Sequence, residues 1–353
     1  MPLKVPSTTN LDAMNAKLHA RRARLCEHER LARLCDAKSF EGFASTLYPD
    51  EKIKDRRVIQ KRLTEDSLHD ITWVVDYLGG REFGLYMWLL KRYQLENLKV
   101  IFRGFHSHRQ PQEVLPYVVA LPDPLALPAE KMLLATSTEE FGDAVPDVAL
   151  RRTVRAAISF YSQKNKPFFF EASIDCAFYR EALRLVRAGG ALTMQACIPT
   201  VAADAAMYVI MLIVRAKHNY GLSFDEIAPA INVAPDTDIV PDTDIRMELP
   251  PRLVQRIYAA ESVSAAAGVL PARFRKFAPA KVETIDELER MLLMCLYDRA
   301  NAAFYRTGIS MGTAFAFYYL KRIELLNLIR LAEAYHYGLS TEEMKSILIP
   351  PVE

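Results

Sequence analysis

Apolar residues recur along most of this chain at intervals of three and four, which is the spacing of one face of an α-helix. Near the N-terminus, Leu18, Leu25 and Leu31 follow this spacing among arginines, and the pattern predicts one amphipathic helix over residues 11–35. The alternation of apolar and polar residues that is typical of strands is nearly absent. The pattern therefore predicts an all-α protein.

Local signals place the ends of several further helices. A helical stretch over residues 50–80 is predicted to end at its two terminal glycines, because glycine is common just after a helix. A long helix follows over residues 83–105, and Pro111 lies where a new helix would begin, with Glu113 in its first turn. The apolar residues 207–214 indicate a buried helix, since a membrane-spanning helix needs about 20 apolar residues.

Two different short segments, called words here, each occur twice, and the distances between their copies are related. Residues 90–98 (LKRYQLENL) and 320–328 (LKRIELLNL) agree at six of nine positions and lie 230 residues apart. Residues 220–226 (YGLSFDE) and 337–343 (YGLSTEE) lie 117 residues apart, almost half of that distance. A common period of about 115 residues indicates three copies of one helical unit.

A third similarity has the same period, because residues 170–182 resemble residues 288–300 at an offset of 118. A proline-rich linker follows the first copy, and proline-rich segments commonly separate structural units. The repeat therefore predicts three helical domains, at residues 1–120, 121–234 and 235–353.

Each Gly-Leu-Ser word has the spacing of a capping box, in which a hydroxyl and a carboxylate satisfy free backbone N–H groups at a helix start. The pairs are Ser223 with Glu226 and Ser340 with Glu343. At the offset of 230, residues 110–113 align with the second pair. All of these places are predicted to be helix starts.

Composition narrows the class of protein. A chain of 353 residues with 51% hydrophobic and 25% charged residues is typical of a packed soluble protein with two or three cores. The net charge of +2 favours neither nucleic acid nor an anionic membrane. Five scattered cysteines fit a reducing compartment, and the N-terminus shows no apolar signal core.

No motif gives positive support for catalysis or for a cofactor. Four aspartates lie in a tandem acidic loop and could hold a hard cation, but the spacing and final glutamate of an EF-hand are missing: Asp236, Asp238, Asp242 and Asp244. Prolines keep this loop out of a helix, so a duplicated loop is favoured over a metal site. His106 and His108 flank a single residue without a third ligand nearby. Phosphate-binding loops and nucleophile elbows are absent from the sequence.

The aromatic residues fall mostly on apolar helical faces, which favours packing over a stacking platform for nucleic acid. The N-terminal arginines are interpreted as the solvated face of a mixed-charge helix. In the repeated word, Lys91 and Arg92, and their counterparts Lys321 and Arg322, are likewise interpreted as the solvated side of an amphipathic helix. Asn97 and Asn327 recur amid leucines, and we predict that each makes a repeated inter-helix hydrogen bond, for which an Arg or acidic side chain of a neighbouring helix could supply the partner.

Taken together, these residues resemble the repeat of the C/d subunit of rotary V-type and A-type ATPases. The similarity rests on the run Leu-x-x-x-x-Leu-x-Asn-Leu, the arginine that follows it, and the Gly-Leu-Ser-x-(Asp/Glu)-Glu step. It extends to a helix with Phe170-Glu171, Asp175 and Phe178-Tyr179, and to the arginine-rich N-terminal helix. The repeat positions are Arg92, Asn97, Arg103, Arg215, Arg322 and Asn327.

Two of the three copies depart from the family's pattern. The acidic residue that the family often places three before the asparagine is Gln94 in the first copy and Glu324 in the third. The second copy has Met207 and Ile210 in place of the acid and the asparagine, with Asp204 nearby. The three units are therefore not expected to make equivalent contacts.

The resemblance implies a non-catalytic protein without cofactors, built from three similar helical domains in a funnel with pseudo-threefold symmetry. Such a protein is peripheral, at the cytoplasmic face of the membrane. Its partners are the central-stalk subunits and the membrane proteolipid ring, and it transmits torque between ATP hydrolysis or synthesis and the movement of H⁺ or Na⁺.

Three alternatives remain open at this point. One is an all-α scaffold unrelated to rotary ATPases, which would not copurify with an ion-translocating complex. Another is a metal-dependent helical enzyme that uses the acidic loop. A third is nucleic-acid binding through the N-terminal arginines, which predicts strongly salt-dependent affinity.

Overall fold

The computed structural model describes residues 6, 8–188, 195–232, 249–279 and 281–352. The structure is 74% helical, and the described residues contain no strand. The all-α fold predicted from the hydrophobic pattern is therefore confirmed. The tandem acidic loop at residues 236–244 lies outside the described residues.

The described ranges form eighteen α-helices. The first six are α1 (Leu11–Arg22), α2 (Glu29–Cys35), α3 (Phe40–Leu47), α4 (Arg56–Thr72), α5 (Gly80–His106) and α6 (Pro111–Val114). The next six are α7 (Ala129–Leu133), α8 (Thr138–Asp143), α9 (Val148–Lys164), α10 (Pro167–Ala188), α11 (Ile198–His218) and α12 (Phe224–Asn232). The last six are α13 (Pro251–Ala259), α14 (Val263–Gly268), α15 (Ala272–Arg275), α16 (Ile285–Arg306), α17 (Met311–Tyr337) and α18 (Thr341–Ile347).

The N-terminal stretch forms two helices, so the single helix predicted over residues 11–35 is wrong. The chain leaves the helix after α1 and re-enters it at α2, and His28 before α2 has a left-handed φ of 47°. In the break, the backbone N–H of Cys26 donates to the buried carboxylate of Glu324 at 2.5 Å. Apolar spacing continues across both helices because each packs on the core, and the pattern therefore hides the break.

The two glycines at residues 79 and 80 begin a helix instead of ending one. α4 stops at Thr72 and is followed by a 3-10 turn over Trp73–Tyr77. Gly79 is then the N-cap of α5, and Gly80 adopts a φ of 54° that glycine tolerates without strain. The long helix predicted over residues 83–105 is confirmed by α5, and the helix start at Pro111 by α6.

The contacts among the long helices form a closed series, because the last long helix packs against the first. α5 packs on α7 and α10, α11 packs on α13 and α16, and α17 packs on α1 and α4. In each case one partner is a long helix, namely α10, α16 or α4. The other partner is a shorter helix that begins a set of six helices in chain order, namely α7, α13 or α1. The same succession of contacts thus occurs three times, and the third time it joins the end of the chain to its start.

One large hydrophobic core runs through all of these contacts, and a smaller cluster lies between α2, α3, α4, α17 and α18. Aromatic rings fill much of the interior, as Phe102 stacks on Phe170 at 3.7 Å between centroids, and Tyr86, Tyr318 and Tyr319 are fully buried. The prediction that most aromatics pack in the core is confirmed.

By length and composition, α11 could cross a membrane, and it is the one such helix among the described residues. Within the protein, however, 72% of its most apolar 18-residue window is buried. It packs on α10, α13 and α16. The prediction of a buried helix over residues 207–214 is confirmed.

Consecutive long helices differ in how they pair. α10 packs on α11, and α16 packs on α17. α4 and α5 are held together mainly at the 3-10 turn that joins them, where Tyr86 donates to the carbonyl of Ile71 at 3.1 Å. Beyond that joint the two helices diverge and leave a groove between them.

Candidate functional site: charged contacts among the long helices

One face of α5 carries four charged residues. Arg92, Glu96, Lys99 and Arg103 are spaced by four, three and four residues, which places them in one row along the helix. Glu96 accepts a hydrogen bond from Lys99 and pairs with Arg92, each at 2.8 Å. The row faces α10, whose Asp175 lies opposite it.

The carboxylate of Asp175 lies between two cations of α5. Its Oδ1 is 3.1 Å from Arg92, and its Oδ2 is 3.2 Å from the ammonium of Lys99. The side chains of Asp175 and Lys99 are each 7% exposed. Since a buried charge must be paired to be tolerated, the three residues hold α5 and α10 in one fixed register.

Neighbouring charges decide the ionisation of this row. Burial raises the pKa of Glu96, but Arg92 and Lys99 outweigh burial and lower the pKa to about 2. Burial likewise lowers the pKa of Arg92, but Asp175 and Glu96 outweigh it and leave the pKa well above its ordinary value. Both residues are therefore charged at neutral pH.

A second buried pair joins α17 to α11. The guanidinium of Arg322 is 2.9 Å from Asp204, a side chain that is only 2% exposed. Burial lowers the pKa of Arg322, but Asp204 outweighs burial and raises the pKa well above its ordinary value. Asp204 also contributes to the raised pKa of Arg92. Charged residues of α5, α11 and α17 thus lie close together in the interior.

Three further ion pairs link the C-terminal end of one long helix to the N-terminal end of the long helix on which it packs. They are Arg103 on α5 with Glu171 on α10 (2.5 Å), Arg215 on α11 with Glu289 on α16 (3.1 Å), and Glu333 on α17 with Arg56 on α4 (2.6 Å). Glu171 and Glu289 differ by 118 residues and Arg103 and Glu333 by 230, which are the offsets of the sequence repeats. The third pair has the opposite polarity to the other two.

A cavity of about 500 Å³ lies between α5, α10 and α11, beside the Arg103–Glu171 and Arg215–Glu289 pairs. Its charged wall residues are Arg92, Lys99, Arg103, Arg215, Arg322, Glu96, Glu171, Asp175 and Glu289. Cations and acids are nearly balanced, so the wall has little net attraction for a small ion. Burial and neighbouring charges move the pKa of Glu96, Arg92 and Arg322 away from neutrality. These groups therefore suit fixed contacts with protein better than proton transfer at neutral pH.

The repeated asparagines make matching hydrogen bonds. Asn97 donates to the carbonyl of Val119 at 2.7 Å and accepts from its N–H at 2.9 Å. Asn327 does the same with Ile349, at 2.7 Å and 3.0 Å. In both copies the partner lies 22 residues further along the chain. The bond is repeated, but the prediction that it joins two helices is wrong, because backbone outside the helices takes the place of a side chain from a neighbouring helix.

The turns that follow α5, α11 and α17 all have the same cap. The backbone N–H of the residue before the next helix donates to a glutamate side chain in all three: Gln110 to Glu113 at 3.0 Å, Ser223 to Glu226 at 2.9 Å, and Ser340 to Glu343 at 2.8 Å. Both serine hydroxyls accept from the glutamate N–H in return. The predicted capping boxes are confirmed, and they start α6, α12 and α18 at equivalent places.

The structure brings most of the predicted repeat positions into contact with neighbouring helices. Arg92 and Arg322 are paired with buried acids, so the prediction of a purely solvated face is wrong for them. In the N-terminal helix, Arg22 is also largely buried and pairs with Glu27. Sequence reasoning missed Lys99, whose signal is its place in the charged row of α5.

The other candidate chemistry finds no support in the part of the chain that the structure describes. There, no three His, Cys, Asp or Glu side chains are grouped so that they could hold a metal ion. His106 hydrogen-bonds to the hydroxyl of Tyr161 at 2.6 Å, which explains one member of the His-x-His pair structurally. The cysteines are free, and burial raises the pKa of the Cys26 and Cys176 thiols to about 12.

Comparison with known proteins identifies the family. The family model described as ATP synthase (C/AC39) subunit matches residues 14–347, nearly the whole chain. Curated proteins give no match. The matched range includes the charged row of α5, all three ion pairs between long helices and both repeated asparagines. The resemblance seen in the sequence is thereby confirmed, and the chain belongs to the ATP synthase (C/AC39) subunit family.

Proposed function

We propose that this chain is the non-catalytic rotor subunit of a V-type or A-type ATPase, where it links the central stalk to the membrane proteolipid ring. In this role it transmits torque between ATP hydrolysis or synthesis and the movement of H⁺ or Na⁺. It is peripheral, at the cytoplasmic face of the membrane, and it binds its partners through protein contacts. Membership of the ATP synthase (C/AC39) subunit family is the basis of the proposal.

The observation that carries it is the closed order of contacts among the long helices. α5 packs on α10, α11 on α16, and α17 on α4, each with an ion pair near the same ends of the two helices. This order supports three similar units around an axis, with domain limits near residues 120 and 234. A pseudo-threefold body suits an adaptor between a stalk and a ring, because neither partner needs to share its symmetry.

The buried pairs support the transmission of torque. A subunit that passes torque must resist shear between its helices, and close-packed interiors deform little. Asp175 ties α5 to α10, and Asp204 ties α11 to α17, both through a carboxylate that is largely buried. Sliding one helix past the other would leave these carboxylates unpaired, which is strongly unfavourable.

Copurification tests the proposal. Membranes from the native host are solubilised in mild detergent, and the complex is isolated through a tag on this chain. We expect ATPase activity and the proteolipid subunit to be isolated with it. Membranes from a strain that lacks this chain should lose ATP-driven ion pumping, and expression of the tagged chain should restore it.

Two results would contradict the proposal. One is a monomeric, cytosolic distribution of the tagged chain in cells whose ATPase complex is intact. The other is normal ion pumping in the strain that lacks the chain.

A further inference from the structure

An apolar cavity of about 200 Å³ lies between α5, α9 and α10. Its walls include the buried side chains of Leu95, Leu150 and Ile174, and it shares no wall residue with the charged cavity between α5, α10 and α11. Exposed residues of α9, among them Ala149, line its mouth. Since an apolar cavity of about 150 Å³ can hold benzene, this one has room for a small apolar group.

Two stacked aromatic rings form part of the wall and are held in place. Trp88 lies on Phe178 with 5.7 Å between the ring centroids and 13° between the ring planes. The indole N–H of Trp88 also donates to the carbonyl of Phe178, at 3.1 Å. Trp88 is nevertheless only partly buried and lines the cavity. The wall therefore offers preformed apolar surface to a ligand.

The charged residues around this cavity are mostly cations. Lys91, Arg152 and Arg184 line it together with one acid, Glu181. Arg184 is bound to Glu181 at 2.6 Å, and Lys91 is 3.4 Å from Asp147, an acid outside the wall. In the part of the chain that the structure describes, the exposed Arg152 has no ion pair. One unpaired cation beside an apolar cavity suits a ligand with an apolar body and a single negative charge.

The third group of helices contains a counterpart of this cavity with the opposite charge. The counterpart has a volume of about 250 Å³ and lies between α4 and α17. Its Lys321 and Leu325 follow Lys91 and Leu95 at the repeat offset of 230 residues. Besides Lys321, the charged residues of its wall are all acids: Asp66, Asp70 and Glu324. Three cations and one acid line the first cavity, whereas one cation and three acids line the counterpart. Only the first therefore attracts an anion.

We propose that the apolar cavity binds a carboxylate with a single short acyl chain, with the chain against Trp88 and Leu150 and the carboxylate at Arg152. A carboxylate carries one negative charge, which matches the one unpaired cation. The volume has room for one chain, which favours a free carboxylate over a membrane phospholipid with two chains. The inference does not depend on the rotor role, because it rests on this cavity and its counterpart alone.

Quenching of tryptophan fluorescence tests this inference, because the two tryptophans of the chain report on the two cavities. Trp88 lines the apolar cavity, and Trp73 lies beside the counterpart, since its indole donates to the carbonyl of Asp70. The probe is 8-bromooctanoate, whose bromine quenches an indole on contact. It is added to the full-length variants Trp73→Phe, which keeps Trp88, and Trp88→Phe, which keeps Trp73.

We expect saturable quenching of Trp88 and no saturable quenching of Trp73. The uncharged 8-bromooctanol should bind at Trp88 about fivefold more weakly or less tightly still, because it lacks the carboxylate. Absence of saturable quenching at Trp88, the same saturable quenching at both tryptophans, or equal affinity for the acid and the alcohol would overturn the proposal.

Substitutions on α9 provide the matched comparison in the Trp73→Phe background. Arg152→Gln should raise the Kd for 8-bromooctanoate about fivefold, because it removes the cation beside the carboxylate. Arg155→Gln is the control, since Arg155 is exposed, lies one turn further along α9 and is outside the wall. It should leave the Kd unchanged. Ala149→Leu should abolish saturable quenching by filling the mouth of the cavity. An unchanged Kd in Arg152→Gln, or the same increase in Arg155→Gln, would overturn the proposal.

Discussion

Replacing Asn97 or Asn327 with alanine tests how much the repeated hydrogen bonds between asparagine and backbone contribute to local stability. Each asparagine makes two hydrogen bonds to one backbone residue, Val119 or Ile349, across 22 residues of chain. The substitution removes both bonds and leaves an N–H and a carbonyl without their partner. A segment held by the amide of one side chain should then open locally.

The expected magnitude follows from the burial of the groups that lose their partners. Leaving one buried donor or acceptor unsatisfied costs about 1–3 kcal/mol, so the loss of both bonds should cost about 2–6 kcal/mol. Asn327 and Ile349 are both almost fully buried, whereas Val119 is partly exposed to water that can replace the lost bond. Asn327→Ala should therefore have the larger effect.

Amide hydrogen exchange reads this effect directly. A loss of about 2 kcal/mol of local stability accelerates exchange about 30-fold, so the N–H of Val119 should exchange faster in Asn97→Ala and that of Ile349 in Asn327→Ala. Gln94→Ala is the matched control, because Gln94 lies one turn from Asn97 and its amide has no hydrogen-bond partner. Unchanged exchange at Val119 and Ile349, or the same acceleration in the control, would refute the reasoning.

Three further substitutions test charged and amide side chains of α5 and α10. Gln94→Leu should be neutral or stabilising, because a buried amide without partners gives way to an apolar group; a loss above about 1 kcal/mol in thermal unfolding would contradict this. Asp175→Asn should destabilise the protein by about 3–5 kcal/mol, since Arg92 and Lys99 lose their shared carboxylate, and a loss under about 1 kcal/mol would show the pair to be unimportant. Because the pKa of Glu96 is lowered from 4.5 to about 2, its stabilisation is complete above pH 4.5 and disappears as the pH falls toward 2. The stability difference between wild type and Glu96→Gln, measured by denaturant unfolding, should shrink over that range instead of staying constant.

Local and repeated features of this fold were accessible from the sequence. The extent of α5, the start of α6 and the capping box at Ser340 follow from apolar spacing, proline placement and the Ser-x-x-Glu pattern. These are short-range effects, in which each residue acts on backbone within one or two turns. The same is true of the all-α class, since the period of the hydrophobic pattern is a local property.

The partners of the buried polar groups were not accessible in the same way. Asn97 bonds to backbone, and backbone in an extended segment leaves no side-chain signal in the sequence. Asp175 pairs with residues more than seventy positions away, and nothing local indicates which charged residue it meets. The row that ends at Arg103 did offer a clue, because four charged residues on one face of a helix otherwise full of buried leucines imply acids opposite them.

The divergence of α4 and α5 shows a similar limit. The sequence words predicted three similar units, and a strictly repeated unit would have packed these helices as α16 and α17 are packed. The repeated words lie within α5 and α17 and at the turns after α11 and α17, so they carry no information on how α4 packs on α5.

Rotation of the subunit itself is the most direct test of the proposed role. The catalytic head of the purified complex is fixed to a surface, a bead is attached to this chain through an exposed cysteine placed at Val148, and ATP is added. The account predicts that the bead turns in one direction in an ATP-dependent manner and stops when hydrolysis is inhibited. A bead that stays still while the head hydrolyses ATP and its central stalk rotates would contradict it.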